Sequence, residues 1–188
     1  LRGDLSKHPS ELSQLETFYV QPNHFTGKVP SSWGALKKLT YLGLDDNALT
    51  GPLPAQLGDM TALQMLGLSY NNITGGIPKE LGKLANLNYL ALSVNPLGGS
   101  IPKELGSLPK LEILSMAVNE LTGAIPSELG NLSAIVDLDL AYNKLTGGIP
   151  ASLGKPRTLE RLNLRNNPLG GTLPKELGDL PAIRILEL

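Results

Sequence analysis

One residue column in this chain never slips. Leu15, Leu39, Leu63, Leu87, Leu111, Ile135, Leu159 and Ile183 follow one another at 24-residue intervals. A fixed period of that length means stacked, self-similar units. In the same register run Asn23, Asn47, Asn71, Asn95, Asn119, Asn143 and Asn167, and four residues after each comes Gly27, Gly51, Gly75, Gly99, Gly123, Gly147 and Gly171. Pro follows at 30, 54, 78, 102, 126, 150 and 174. The unit reads LxxLxLxxNxLxGxIPxxLGxLxx, as in LNYLALSVNPLGGSIPKELGSLPK from Leu87 to Lys110.

Each column has a physical reading. The apolar alternation in LxxLxLxxN is the period of a strand with one buried face. One strand per unit makes a parallel sheet of stacked coils, and the Leu, Ile and Val columns fill a core that no single unit could enclose. The Asn closing each strand offers an amide to backbone groups left unpaired between coils, which predicts a buried ladder of seven. The Gly after it permits a positive φ, and the Pro fixes an extended φ. The xxLGxL tail is long enough for a 3-10 turn, with its Gly expected to end it. Lys79, Glu80, Lys103, Glu104, Lys175 and Glu176 then lie on a solvated outer face.

Composition agrees with this reading and closes other routes. Forty Leu supply the core, while 21 Gly and 15 Pro break any long helix and exclude a helical bundle. A chain that is 41% hydrophobic with a net charge of -1 is not a disordered one. The same near-neutral charge lacks the footprint that nucleic acid or an anionic membrane requires, so neither is expected as a partner. With no Cys there is no disulfide frame, thiolate metal site or Cys nucleophile.

The pattern resembles a leucine-rich repeat solenoid, and LTGxIPxxLGxL resembles the plant-specific 24-residue subclass of receptor-like kinases and receptor-like proteins. The subclass also occurs in algal and other protist proteins, including some fused to a Roc-COR GTPase module. The expected fold is an α/β repeat solenoid, mostly β, with a concave parallel sheet and short 3-10 turns on the convex side. The resemblance further implies a right-handed superhelix with a second small sheet flanking the first. The whole chain reads as one array: a partial repeat at 1–14, seven full repeats at 15–182 and the start of another at 183–188. Apolar positions at both ends lead us to expect a segment of a longer protein.

Departures from the consensus are few. Trp33 stands at a core Leu position, Pro156 at the Leu of LGxL, and Ser6 and Pro9 disturb the first unit, so local irregularity is expected there. Pro96 and Pro168 each follow a ladder Asn.

If the strands line the concave side, the variable positions form rows across the sheet. All five Tyr fall in these rows: Tyr19, Tyr41, Tyr70, Tyr89 and Tyr142. Tyr brings large rigid area and a hydroxyl to binding surfaces, although aromatic residues also favour strands in general. A bulky row (Tyr41, Met65, Tyr89, Ile113) runs beside a trough of small residues (Gly43, Gly67, Ala91, Ser115) where an extended peptide or a protein edge is expected to lie. Asp45, Asp46, Asp137, Asp139, Arg161 and Arg165 add charge to the face. Asp137 and Arg161 are placed to pair across neighbouring strands; alternatively Arg161 and Arg165 clamp a carboxylate.

Chemistry beyond binding is not expected. His8 and His24 have no recognisable nucleophile or orienting acid in register. Gly82-Lys83-Leu84 lacks the remaining residues of a phosphate loop. The four Asp come from distant repeats with no loop to complete a cation shell. We therefore expect no catalytic residue, cofactor or metal. Asn72-Ile73-Thr74 and Asn131-Leu132-Ser133 are N-glycosylation triplets, usable if the chain enters the secretory route, and they lean the localisation towards the cell exterior.

Three functions remain open at this level. The first is protein or peptide recognition by the sensing part of a larger receptor or signalling protein, with no membrane contact from this segment. The second is the scaffold arm of a Roc-COR-type intracellular GTPase, and the third a stand-alone secreted inhibitor-type solenoid like the polygalacturonase-inhibiting proteins.

Overall fold

A computed structural model describes residues 1–5 and 12–188. Eight strands, Thr17–Tyr19, Tyr41–Gly43, Met65–Gly67, Tyr89–Ala91, Ile113–Ser115, Asp137–Asp139, Arg161–Asn163 and Ile185–Glu187, form one parallel sheet in chain order. Each residue pairs with the one 24 positions on, as in Tyr41 with Met65 and Met65 with Tyr89. The sequence period is therefore the sheet register itself.

Opposite the sheet sit short 3-10 helices at Ser31–Ala35, Ala55–Asp59, Lys79–Lys83, Lys103–Ser107, Ser127–Asn131, Ala151–Gly154 and Lys175–Asp179. The Pro of each repeat stands just before its helix with extended backbone, for example φ -65° and ψ 127° at Pro102. No α-helix occurs among the described residues. Among those residues the helical content of this mostly-β solenoid is all of the 3-10 kind. At Pro156 the expected irregularity is visible: the helix Ala151–Gly154 ends one residue early, and Lys155 takes helical angles. Ser6, His8 and Pro9 lie outside the described residues.

Except at Gly154, the Gly of LGxL does not end its turn, contrary to the expectation. It lies inside the helix, where a Cβ on Gly106 would stand 2.2 Å from the Glu128 carbonyl oxygen of the next coil. Close approach of successive coils demands Gly there. The turn Gly column is as expected, with φ between 74° and 88°.

Between sheet and helices the Leu columns make one core; Leu42, Leu66, Leu90 and Leu114 are wholly buried. Trp33 is buried at its Leu position, its ring edge-on to Phe18 at 5.4 Å. The Asn ladder forms along this core. Asn119 Oδ1 accepts from the Leu97 N–H at 3.3 Å, and its Nδ2 donates to the carbonyls of Leu92 and Met116 at 3.1 and 3.0 Å. The amide thus ties its own coil to the preceding one. Asn71, Asn95, Asn119 and Asn143 are buried, whereas Asn23, Asn47 and Asn167, within two coils of the ends of the stack, are only half-buried.

Two features are absent from the sequence reading. The residue before each ladder Asn, from Asp46 to Asn166, holds φ of 54° to 58°. Those six residues, Val94 and Val118 included, occupy the left-handed region. The flanking sheet, moreover, is broken into pairs: Arg2–Asp4 with His24–Thr26, Thr50–Gly51 with Asn72–Ile73, and Thr122–Ala124 with Lys144–Thr146. In regular repeats the residue after the ladder Asn donates to the preceding coil, as Asn72 does to the Leu49 carbonyl at 2.9 Å. Pro96 and Pro168 have no N–H to give, and the flanking strands stop at those two repeats.

Candidate ligand-binding face

The sheet brings the variable positions together in the rows expected. Tyr41, Met65, Tyr89, Ile113, Asp137 and Arg161 form one row in direct register, and Tyr19, Gly43, Gly67, Ala91, Ser115 and Asp139 another. Tyr19, Tyr41, Tyr70 and Tyr142 are exposed, and Tyr89 is half-buried. Asp46, Tyr70 and Tyr142 ride on the left-handed turns at the exit of the strands.

The small-residue trough is not empty along its length, which corrects the expectation. The Tyr19 ring lies over Gly43, where a Cβ would meet its Cδ1 at 2.2 Å, and the Asp45 carboxylate covers Gly67 at 2.1 Å from the same position. Tyr19 continues along the face, stacking at 6.5 Å from the Tyr41 ring and donating its hydroxyl to Met65 Sδ at 3.3 Å. Tyr41 donates to Gln64 Oε1 at 3.1 Å. What stays open is a shallow groove of about 420 Å³, with Asp45 at one end, Asp139 at the other, Tyr70 and Tyr89 on its walls, and Ser93 and Ser115 in its floor.

A second ladder runs through that floor. From Asp45 to Ala117 the strand-exit N–H finds no backbone carbonyl and is taken by a side chain of the coil before it. Gln21 Oε1 accepts from Asp45, Asp45 Oδ1 from Ser69, Ser69 Oγ from Ser93 and Ser93 Oγ from Ala117, at 3.2, 2.7, 3.1 and 2.9 Å. From Ala141 onward the acceptor comes from the same coil: Asp139 Oδ1 serves Ala141 at 3.0 Å and Asn163 Oδ1 serves Arg165 at 3.3 Å. The run of short acceptors Gln21, Asp45, Ser69 and Ser93 at the 24-residue interval was the available signal. Among the described residues, no buried side-chain nitrogen or oxygen lacks a partner.

Charge gathers at the other end of the face. Arg161 Nη1 meets Asp137 at 3.2 Å and Asp139 at 3.0 Å, its Nη2 meets Glu187 at 3.1 Å, and Arg165 meets the same Glu187 at 3.1 Å. Arg165 also stacks on the Tyr142 ring at 5.3 Å. Both Arg are thus engaged with carboxylates of this chain, the pairing reading, and a clamp on an incoming carboxylate would have to displace Glu187. Burial raises the Asp137 carboxyl above its ordinary range by more than its share of Arg161 lowers it, with Asp139 and Glu187 adding to the rise. Burial opposes the charge on Arg161, but its bond to Asp139 and the neighbouring carboxylates outweigh this and hold the guanidinium above its usual value. Burial also raises Asp45 against the Ser69 N–H that it accepts. Tyr89 is pushed up by burial and then by Asp45 and Asp137.

Asn72 and Thr74 are exposed at a flanking strand, and Asn131 and Ser133 are exposed at the end of a 3-10 helix, so both triplets lie off the sheet. Among the described residues no group of three His, Cys, Asp or Glu could hold a metal ion, and no helix is long and apolar enough to cross a membrane.

Comparison with known proteins places this geometry. Residues 37–97 match a family profile described as leucine rich repeat, and 110–132, 134–156 and 158–180 match a second so described. No curated protein matches. Among solved structures, the plant peptide hormone receptor RGFR1 in complex with RGF2 is 32% identical with a TM-score of 0.94, over 100% of this chain and 30% of that one. The Arabidopsis receptor kinase HAESA, in complex with the peptide hormone IDA and the co-receptor SERK1, is 40% identical with a TM-score of 0.91, over 94% of this chain and 30% of its own. A plant ice-binding protein is 31% identical with a TM-score of 0.83, over 95% of this chain and 58% of its own. The chain therefore spans less than a third of the two receptor chains. Register, Asn ladder and family profiles agree: the chain belongs to the leucine-rich repeat family, in its plant-type 24-residue form.

Proposed function

We propose that this chain recognises a protein or peptide on its concave sheet, as part of the sensing portion of a larger receptor that faces the cell exterior. The observation that carries the reading is the bulky row Tyr41, Met65 and Tyr89, with exposed Tyr19 and Tyr70 beside it on the same face of the sheet. Residues of this kind favour binding hot spots. The two receptor neighbours, described as complexes with RGF2 and IDA, support the reading. The ice-binding neighbour shows that the coil alone does not decide the role. The side chains of the face must carry it. On a chain facing the exterior, Asn72 and Asn131 are acceptors for glycans that would leave the sheet uncovered.

The test replaces Tyr41→Ala and Tyr89→Ala. Each variant should melt close to the parent and bind a partner about 1–3 kcal/mol more weakly. Preserved affinity in both variants would move recognition to another face.

A further inference from the structure

The concave face is far more acidic than the molecule that carries it. Counting its rows and the residue just before each strand, it holds eight carboxylates, from Glu16 to Glu187, against Arg161, Arg165 and Arg184. That is a local balance of -5 in a chain whose total is -1, and all eleven Lys lie elsewhere. The carboxylates also differ in how they are compensated. Asp137, Asp139 and Glu187 are bridged by Arg161 and Arg165. Asp45 and Asp46 have no ion pair among the described residues, although they sit side by side.

We propose that the groove between Asp45 and Asp139 takes an extended basic peptide segment, with a Lys or Arg side chain drawn to the uncompensated Asp45–Asp46 end. The proposal rests on the recognition reading above and names the chemistry of the ligand. Asp45 and Asp139 stand four coils apart, roughly 19 Å at the usual strand spacing, the reach of about six extended residues. Tyr70 and Tyr89 on the walls offer ring faces to a cation and cover for its methylenes. Val94 and Val118 extend that apolar rim. In the floor, the Ser93 and Ser115 hydroxyls are bonded to each other at 2.7 Å, so it presents a satisfied, neutral surface between the charged ends that select. Burial already disfavours the Asp45 carboxylate, and an arriving cation relieves that cost.

The experiment passes a library of end-blocked random decapeptides over the immobilised chain and sequences what is retained. Lys and Arg should be enriched about twofold or more, with the enrichment weakening as salt is raised. Asp45→Asn with Asp46→Asn should abolish the enrichment. Asp59→Asn with Asp179→Asn, which removes two charges from the convex side, should leave it intact. Retention without basic enrichment, or enrichment that survives Asp45→Asn with Asp46→Asn, overturns the assignment. If the retained peptides are neutral or acidic and are lost on Tyr41→Ala with Tyr89→Ala, the recognition reading stands and only the charge assignment falls. If nothing is retained, both fall.

Discussion

Val118 holds a φ of 56° on an exposed turn, a conformation in which a β-branched side chain is a genuine outlier. The left-handed region costs an L-residue roughly 1–2 kcal/mol, while Asn tolerates it through local hydrogen bonding. This chain already uses Asp46 and Asn166 in the same column. Val118→Asn should therefore raise stability by about 1 kcal/mol, read as a shift of the urea midpoint at constant slope; an unchanged or lower midpoint would show that the Val side chain gains more from packing than the turn loses. Asp45 offers a second test at this scale. Its carboxyl is raised above the ordinary 3.8 by burial, so the folded chain binds the proton more tightly than the unfolded one. Stability falls as pH rises from 3.8 through the folded value, and the deficit persists above it. Asp45→Asn keeps an oxygen for the Ser69 N–H and removes the charge. The variant should melt higher than the parent near neutral pH, and the difference should close at pH values below 3.8. A variant less stable at neutral pH would mean that the ionised form is favoured after all.

At the level of the coil, the tightest contact is the Gly of LGxL against the next carbonyl. Gly106→Ala puts a Cβ 2.2 Å from the Glu128 oxygen, whereas Gly178 has nothing within 4 Å of the same position. The first should cost about 1–3 kcal/mol as the coils are forced apart. The second should be neutral or slightly stabilising, and equal melts for the two variants would refute the close-packing account. This contrast also shows what the sequence can and cannot display. Columns of Leu, Asn and turn Gly were legible because every coil repeats the same demand on the same residue type. The pairing of Asp137 with Arg161 was legible because register neighbours in a parallel sheet stand one period apart. The second role of Gly106 was misread because its reason lies in the backbone of a neighbouring coil. The trough was misread likewise: a row shows Gly43 and Gly67 as small, but not that Tyr19 and Asp45 lean across to cover them. Left-handed Val94 and Val118 were hidden because their residue type argues against the conformation that the coil imposes.

Across the whole molecule the backbone pairing runs only between adjacent coils, since every sheet pairing among the described residues joins strands one repeat apart. Such an array behaves as a row of units coupled to their neighbours, and its cooperativity depends on the weakest coupling. Leu114 lies in the fifth of the eight strands, fully buried and paired with Leu90 on one side and Leu138 on the other. Leu114→Ala should cost about 2–5 kcal/mol through lost transfer energy and the cavity left behind. Because the loss falls mid-array, it should also loosen the coupling of the two halves. Urea unfolding should then broaden, with an apparent slope below that of the parent, as the flanks cease to melt together. Hydrogen exchange gives the spatial readout: amides near Leu114 should lose protection first, and those near Leu66 and Leu162 should part company. A single sharp transition of parental slope, shifted only in midpoint, would mean that the solenoid unfolds as one unit despite its one-dimensional contacts. The groove between Asp45 and Asp139 spans this same junction, so a ligand bridging it would couple the halves again. Peptide added to the Leu114→Ala variant should therefore restore slope as well as midpoint.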